Sequence, residues 1–344
     1  MKKEVSIGTI RLKKNGIAYR KARFGWIKAK QQFPHAKKVI TLFKASKNIH
    51  VLVDPNNKSF LKGSYYQGQP RGARIQYLPN GDILEKAYSL FAPHLTIHDQ
   101  TSHDHWDVLY QNKGGTYSYV YTKAKRTAHR NAKYKKVELF NKHYKILTRN
   151  VHNALGKDAI ALPLHTLLKT YMRIGNETYY NAHNHKGLTT LQRKDVSIKG
   201  NQVTFNYIGK DGVPLEITTT FCKPYITVLQ KLLTTKKKNE FIFTTNSGRP
   251  LPEPLFKHAF IHYCGHEFYP HIVRSHYATS TVKQFLKGKR TLTKKEAVVL
   301  YTQIAHKLGH KKFNKKTQQW DDSFTVTVHS YIQPQLIEKI NNMI

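Results

Sequence analysis

Hydrophobic positions in the first hundred residues come in short alternating runs broken by turn signals. VSIGTIRL, KKVITLF and IHVLV read as strands, separated by Lys14-Asn15-Gly16, Asp54-Pro55-Asn56-Asn57 and Pro79-Asn80-Gly81-Asp82. This region is therefore predicted to be mostly β. Basic residues are interleaved there with Tyr19, Phe24, Trp26, Tyr65 and Tyr66. The mixture suits a nucleic-acid surface, but small β domains need aromatic cores, and the core assignment is preferred for most of these rings.

From Lys113 the pattern changes. Tyr117, Tyr119 and Tyr121 alternate, and a helix is then predicted to run through Phe140, Tyr144 and Leu147. Leu164, Leu167, Leu168, Tyr171 and Met172 follow the spacing of an amphipathic helix, with Pro163 in its first turn. Gly175 is expected as its stop, which puts Arg173 in its last turn, where a lone arginine is ordinarily a dipole partner. Three short β-like runs follow, DVSIKG, NQVTFNYI and VPLEITTTF. Gly209-Lys210-Asp211-Gly212 forms a hairpin signal between the last two, which lifts Lys210 onto a turn. A helix through Val228 and Leu232, the apolar EFIF and a helix near Pro254–Tyr263 lead to HIVRSHYATSTVKQFL. Ala297, Tyr301, Ile304, Ala305 and Leu308 form another apolar stripe, which makes Tyr301 a core residue. KKFNKKTQQWDDSF then reads as a short polar linker before VHSYIQP.

Length and charge narrow the class. A chain of 344 residues can hold two or three domains, and 39% hydrophobic with 12% aromatic residues fits a folded protein. Lys and Arg number 58 against 20 Asp and Glu, a formal charge of +38. So large an excess calls for a polyanionic partner, with nucleic acid the default. No run is long enough to span a membrane and no basic amphipathic anchor stands out. Cys222 and Cys264 are too few for a disulfide framework or a zinc finger, and the opening MKKEVSIGTIRLKK lacks the apolar stretch of a signal peptide, so an intracellular, reduced protein is expected.

Two stretches carry candidate chemistry of their own. HLTIHDQTSHDHWD brings together His98, Asp99, His103, Asp104 and His105, which could bind a divalent metal, although a polar loop is preferred. Tyr119 and Tyr121, followed by Lys123, Arg126, Arg130 and Lys133, make an aromatic and cationic face suited to a DNA backbone; an ordinary solvated basic helix is the alternative for any one of them.

Arg173-Ile-Gly-Asn-Glu177, His185-Lys-Gly-Leu-Thr-Thr-Leu191, Gly209-Lys-Asp-Gly-Val213, HIVRSHYATS and SYIQP together resemble the successive signatures of type IB DNA topoisomerases. TYSYVYTKAKRTAHRNAKY resembles the segment ahead of that family's catalytic domain. The resemblance covers about residues 75 to 344, and the compact poxvirus and giant-virus members are the most similar. It implies an α+β fold: a β-rich N-terminal domain and a mainly α-helical catalytic domain with a small antiparallel three-stranded sheet, together a clamp around DNA. The expected divisions are 1–70, a β-rich basic extension; 71–145, an N-terminal DNA-binding region; and 146–344, the catalytic domain. The partner would be double-stranded DNA, the protein a monomer, and its location, if viral, the virion or the site of viral DNA replication or nucleus.

The resemblance also implies the chemistry. Tyr331 would attack a backbone phosphate to give a 3′-phosphotyrosyl link, with neither ATP nor an obligatory metal. Arg173 and Arg274 would grip the nonbridging oxygens, His310 would donate to one of them, and Lys210 would protonate the departing 5′ oxygen. Two departures stand out. His271 occupies a position that is often lysine in the viral members; three residues before Arg274, it would share a helix face with it and could reach the phosphate, or it could simply be a packing histidine. The stretch from His310 to Tyr331 is longer than in the compact viral enzymes, and Tyr301 is the nearest rival nucleophile. A tyrosine recombinase or integrase is the alternative enzyme. A non-catalytic DNA-packaging factor is a third reading, one that leaves the ordered Arg173, Lys210, Arg274, His310 and Tyr331 unexplained.

Overall fold

A computed structural model describes residues 5–98 and 106–344. The chain divides into two compact units, residues 1–132 and 133–344.

The first unit is β-rich. Strands β1 (Ile10–Leu12), β2 (Ala18–Ala22) and β3 (Gly25–Lys28) precede a helix, α1 (Pro34–Ala45). Then come β4 (Val53–Asp54), β5 (Asn57–Leu61), β6 (Ser64–Tyr66), β7 (Gln69–Arg71), β8 (Ile75–Tyr77), β9 (Ile83–Tyr88), β10 (Thr96–Ile97), β11 (Val108–Gln111) and β12 (Tyr117–Val120). One antiparallel sheet has the order β3-β2-β1-β6-β7, and a second has the order β10-β11-β12. Leu12, Ile40, Phe43, Leu61, Tyr88 and Val120 lie in a common core.

The three runs expected as strands are not extended over their full length, and of VSIGTIRL only Ile10–Leu12 is strand. KKVITLF lies inside α1, because Ala36, Val39, Ile40 and Phe43 repeat at helical spacing and are the buried residues, while Pro34 pre-sets the first turn. IHVLV forms a short 3-10 turn, Ile49–Leu52, and only then enters β4. Trp26 packs on Phe60 and Tyr65 on Phe91, but Phe24 is 87% exposed. Of the histidine-rich stretch, Asp99, His103, Asp104 and His105 lie outside the described residues; His98 stacks on Trp106 and its Nδ1 hydrogen-bonds the Trp106 carbonyl.

A long helix, α2 (Lys123–Asn153), begins in the first unit and continues into the second. After it come α3 (Ala161–Thr170), α4 (Glu177–His183), β13 (Val196–Lys199), β14 (Gln202–Ile208), β15 (Pro214–Thr220), α5 (Lys223–Thr234) and α6 (Glu253–Cys264). The chain ends with α7 (Ile272–Phe285), α8 (Lys294–Lys307), β16 (Lys311–Asn314), β17 (Gln319–Asp322), α9 (Thr325–Ser330) and α10 (Pro334–Met343). Strands β13-β14-β15 form an antiparallel three-stranded sheet. Val203, Phe205 and Tyr207 alternate into the core with the period of two that their sequence shows.

Two hydrophobic clusters fill this unit. Phe140, Leu164, Leu167, Phe205, Leu229 and Phe260 belong to the larger. Val282, Leu300, Ile304, Ile332 and Ile340 belong to the smaller, together with Tyr301, which is buried as its stripe predicts. Helix α7 belongs to both, with Ile272 and Val273 in one and Ala278 and Val282 in the other, so the helix that carries Arg274 is locked at both ends. The expected polar linker after residue 310 is instead an antiparallel hairpin, β16–β17, in which Phe313 stands opposite Trp320 with their rings edge to face. Gln318, at positive φ, helps close the turn. No described helix is long and apolar enough to cross a membrane.

Candidate active site

Tyr331 is the C-cap of α9 and is only 3% exposed. Its backbone is held on every side. The Tyr331 N–H donates to the Thr327 carbonyl, the Thr279 hydroxyl donates to the Tyr331 carbonyl, and the Tyr134 hydroxyl donates to the Ile332 carbonyl. A buried ring fixed in this way keeps one position, which a nucleophile requires if it is to meet its target in line.

Five side chains surround that ring. Arg173 donates to the Tyr331 hydroxyl at 3.2 Å. The Arg274 guanidinium lies 5.2 Å from the ring centre and the Lys133 ammonium 5.4 Å. The His310 and His271 rings lie 4.8 and 5.2 Å away. Lys133 also donates to the Ser330 carbonyl, so a residue expected on the DNA-facing stretch sits against the tyrosine.

Each group is brought here by a specific backbone device. Arg173 does not lie in the last turn of α3: that helix stops at Thr170, and Tyr171 takes the left-handed cap, its ring stacked on Tyr277. Arg173 then sits in a non-helical segment sealed by bonds from Leu188 N–H to its carbonyl and from Thr189 N–H to the Ile174 carbonyl. Gly187 makes this seam possible, because a Cβ there would stand 2.5 Å from the Gly175 nitrogen and 2.7 Å from the Arg173 carbonyl oxygen. Gly175 therefore serves the seam rather than ending the helix.

His310 follows α8 through a Schellman turn. Its N–H reaches the Ala305 carbonyl, Gly309 N–H reaches His306, and Gly309 takes the left-handed conformation at φ +66°. Lys210 is exposed in the turn between β14 and β15, where Asp211 and Gly212 both adopt positive φ, as the Gly-Lys-Asp-Gly signal predicts.

Hydrogen bonds orient the two buried groups. Arg274 donates to the Tyr171 and Leu308 carbonyls and to His310 Nε2 at 3.0 Å. Since a guanidinium only donates, His310 Nε2 accepts, which places the imidazole proton on Nδ1, where it is donated to the Thr327 hydroxyl at 2.8 Å. Burial, with Arg274 and Arg173 beside it, lowers the His310 pKa to about 3. His271, at the N-cap of α7, is likewise lowered to about 3 by burial and then by Arg274, Arg173, Lys133 and His310. Both imidazoles are neutral near pH 7. The Arg274 Nε is buried without a hydrogen-bond partner among the described residues, so this cation has donor capacity left for an anion.

A cleft of about 310 Å³ opens beside the tyrosine, lined by Arg173, Lys186, Tyr207, Lys210, Asp211, Arg274, Lys307, His310 and Lys311. Lys186 is already matched, its ammonium bonded to both Asp195 oxygens and to Gln192. The other cations leave the cleft strongly positive, suited to a phosphodiester. The structure thus brings together Tyr331, Arg173, Arg274, His310, His271 and Lys133, with Arg173, Arg274, His310 and Lys210 sharing the cleft. Tyr119, Tyr121, Lys123, Arg126 and Arg130 belong to the first unit. There Tyr119 is 50% exposed and Arg126 is paired with Glu85. Sequence reasoning missed Thr327, Lys307 and Lys311. The last two stand just either side of the Leu-Gly-His turn, a signal that was readable; Thr327 carries none.

Residues 122–335 match the family model described as eukaryotic DNA topoisomerase I, catalytic core. No curated protein matches the chain. Among solved structures, a post-cleavage complex of the XerH site-specific recombinase with palindromic difH is 14% identical over 59% of this chain and 52% of its own, with a TM-score of 0.36. A pre-cleavage complex of XerH with difH is 15% identical over 47% of this chain and 45% of its own, at 0.32. The likeness thus spans about half of each recombinase chain. With well over half of its length matched by one family model, the chain belongs to the eukaryotic DNA topoisomerase I catalytic-core family.

Proposed function

We propose that the chain is a type IB DNA topoisomerase that relaxes supercoiled duplex DNA through a 3′-phosphotyrosyl intermediate. The observation that carries this reading is the convergence of Arg173, Arg274 and His310 on Tyr331, in and beside a positive cleft that Lys210 also lines.

A backbone phosphate enters the cleft and its nonbridging oxygens take up the guanidinium donors of Arg173 and Arg274, which match that geometry where lysine does not. The Tyr331 hydroxyl oxygen attacks phosphorus as its proton passes to water in the cleft, the bond to the 5′ oxygen breaks, and Lys210 supplies that oxygen's proton. The arginines neutralise the charge that develops on phosphorus. When a phosphate oxygen replaces His310 as the acceptor for Arg274, the imidazole proton can move to Nε2 while the Thr327 hydroxyl turns to donate to Nδ1. His310 then donates to the phosphate, and His271 adds a second imidazole beside the ring. One ester is exchanged for another, so the broken strand can rotate and the 5′ hydroxyl can reverse the attack without ATP.

Tyr119, Tyr121, Lys123, Arg126 and Arg130 are assigned to duplex binding, and Lys133 to the phosphate next to Tyr331. Supercoiled plasmid with EDTA and no nucleotide is expected to be relaxed by the wild-type chain. Tyr331→Phe should abolish relaxation and the covalent DNA adduct while DNA binding persists. Relaxation at the wild-type rate by Tyr331→Phe would remove the nucleophile assignment. No relaxation unless paired specific sites are supplied would favour a recombinase.

A further inference from the structure

A second group of coordinating side chains shares no residue with the tyrosine's cleft. His152 stands in the last turn of α2, His165 in the middle of α3, and Cys222 at the N-cap of α5. One ligand atom from each, an imidazole nitrogen or the thiol sulfur, lies within 4.8 Å of the other two. His152 Nδ1 and Cys222 Sγ are 3.6 Å apart. Zinc binds imidazole nitrogen at about 2.0–2.1 Å and thiolate sulfur at about 2.3 Å, so two such ligands at a tetrahedral angle stand roughly 3.5 Å apart. This pair already has that spacing, and His165 has roughly an ångström to close, a distance that small side-chain rotations cover.

One further observation points to a ligand. His165 is 7% exposed, and its buried Nδ1 has no hydrogen-bond partner among the described residues. Buried polar nitrogens are ordinarily paired, and its ring packs against Phe221 and Tyr225. Cys222, at the head of the twelve-residue helix α5, is only partly buried, so an ion entering past the exposed His152 can reach its sulfur.

We propose that His152, His165 and Cys222 bind a borderline-soft transition-metal ion, zinc being the best fit, in a structural site separate from the catalytic one. Two imidazoles and a thiolate suit zinc and disfavour magnesium or calcium, which take oxygen ligands. The exposure of His152 leaves a way in for the metal and room for a water as fourth ligand. Such an ion would tie the end of α2 and the start of α5 to α3, the helix from whose end the chain runs directly to Arg173.

The full chain, stripped of metal with a chelator, is titrated with Co²⁺, whose near-ultraviolet thiolate-to-metal charge transfer reports a sulfur ligand. A saturable one-to-one band, displaced by Zn²⁺, is expected. It should be absent in Cys222→Ser and retained in Cys264→Ser. His152→Ala, a change at an exposed position, should weaken Zn²⁺ binding by about tenfold or more. Zn²⁺ should raise the thermal midpoint of the wild type and not of Cys222→Ser. No charge-transfer band, or a band that survives in Cys222→Ser, would overturn the proposal.

Discussion

Among single residues, the setting of Tyr331 depends on groups other than those around its ring. Thr327 holds the His310 Nδ1–H and also accepts from the Tyr331 backbone, so it indexes two active groups at once. Thr327→Val keeps the shape but leaves the buried His310 Nδ1 without its hydrogen-bond partner, at a cost of about 1–3 kcal/mol. Cleavage should slow by about 5- to 150-fold if that loss is expressed in the transition state, with DNA binding unchanged. Single-turnover cleavage of a defined duplex measures it, and an unchanged rate would make Thr327 a packing residue only. The buried histidines give a pH prediction. His271 and His310 titrate at about 3 in the folded chain, against about 6.5 when unfolded. Between those values the unfolded chain binds more protons, so this stability is fully present above about pH 6.5 and is lost as pH falls towards 3. His276, lowered to about 4 by burial, acts in the same direction. The urea midpoint should therefore be lower at pH 5 than at pH 7. Arg173, Arg274, His310 and Tyr331 were singled out in the sequence through its ordered resemblance to the type IB signatures, and the structure gathers them around one ring. Thr327 was not, since its role exists only once α9 has been folded against the turn that presents His310.

Among the elements, the β14–β15 hairpin shows how far local pattern reaches. Val203, Phe205 and Tyr207 alternate because one face of the sheet is buried, and Gly-Lys-Asp-Gly demands a turn whatever the rest of the chain does. Helix α1 shows the opposite case. KKVITLF is rich in β-branched residues, and only packing of the Ala36, Val39, Ile40 and Phe43 face decides for helix. The β16–β17 hairpin was hidden for a related reason, since few of its residues are buried and its polar sequence reads as a linker. The turn after β14 carries the clearest test of an assigned role. Lys210→Ala should slow cleavage by about 10²–10⁴ if the ammonium protonates the departing oxygen. A duplex whose departing 5′ oxygen is replaced by sulfur, a leaving group that needs no proton, should be cleaved by Lys210→Ala at nearly the wild-type rate. Equal loss on both duplexes would instead make Lys210 a phosphate-binding cation.

For the whole molecule, the charge of +38 is far more than one active site requires. Arg173, Lys210, Arg274, Lys307 and Lys311 line the cleft proposed to take one phosphate, and Lys186 is already neutralised by Asp195. On the proposed function the remaining excess would act on the duplex at large, by displacing counterions from the backbone. Each phosphate neutralised should contribute about −0.9 to the slope of log affinity against log salt concentration. Lys123 and Arg130 are exposed on the first turns of α2, so Lys123→Ala and Arg130→Ala should each reduce that slope by about one and weaken binding equally for different duplex sequences. Tyr331→Phe, which removes no charge, should leave the slope where it was. Binding titrations of wild type and the three variants at several salt concentrations separate the two kinds of residue. If Lys123→Ala and Arg130→Ala left the slope unchanged, the start of α2 would be an ordinary solvated helix, and the charge that meets DNA would have to lie elsewhere in the chain.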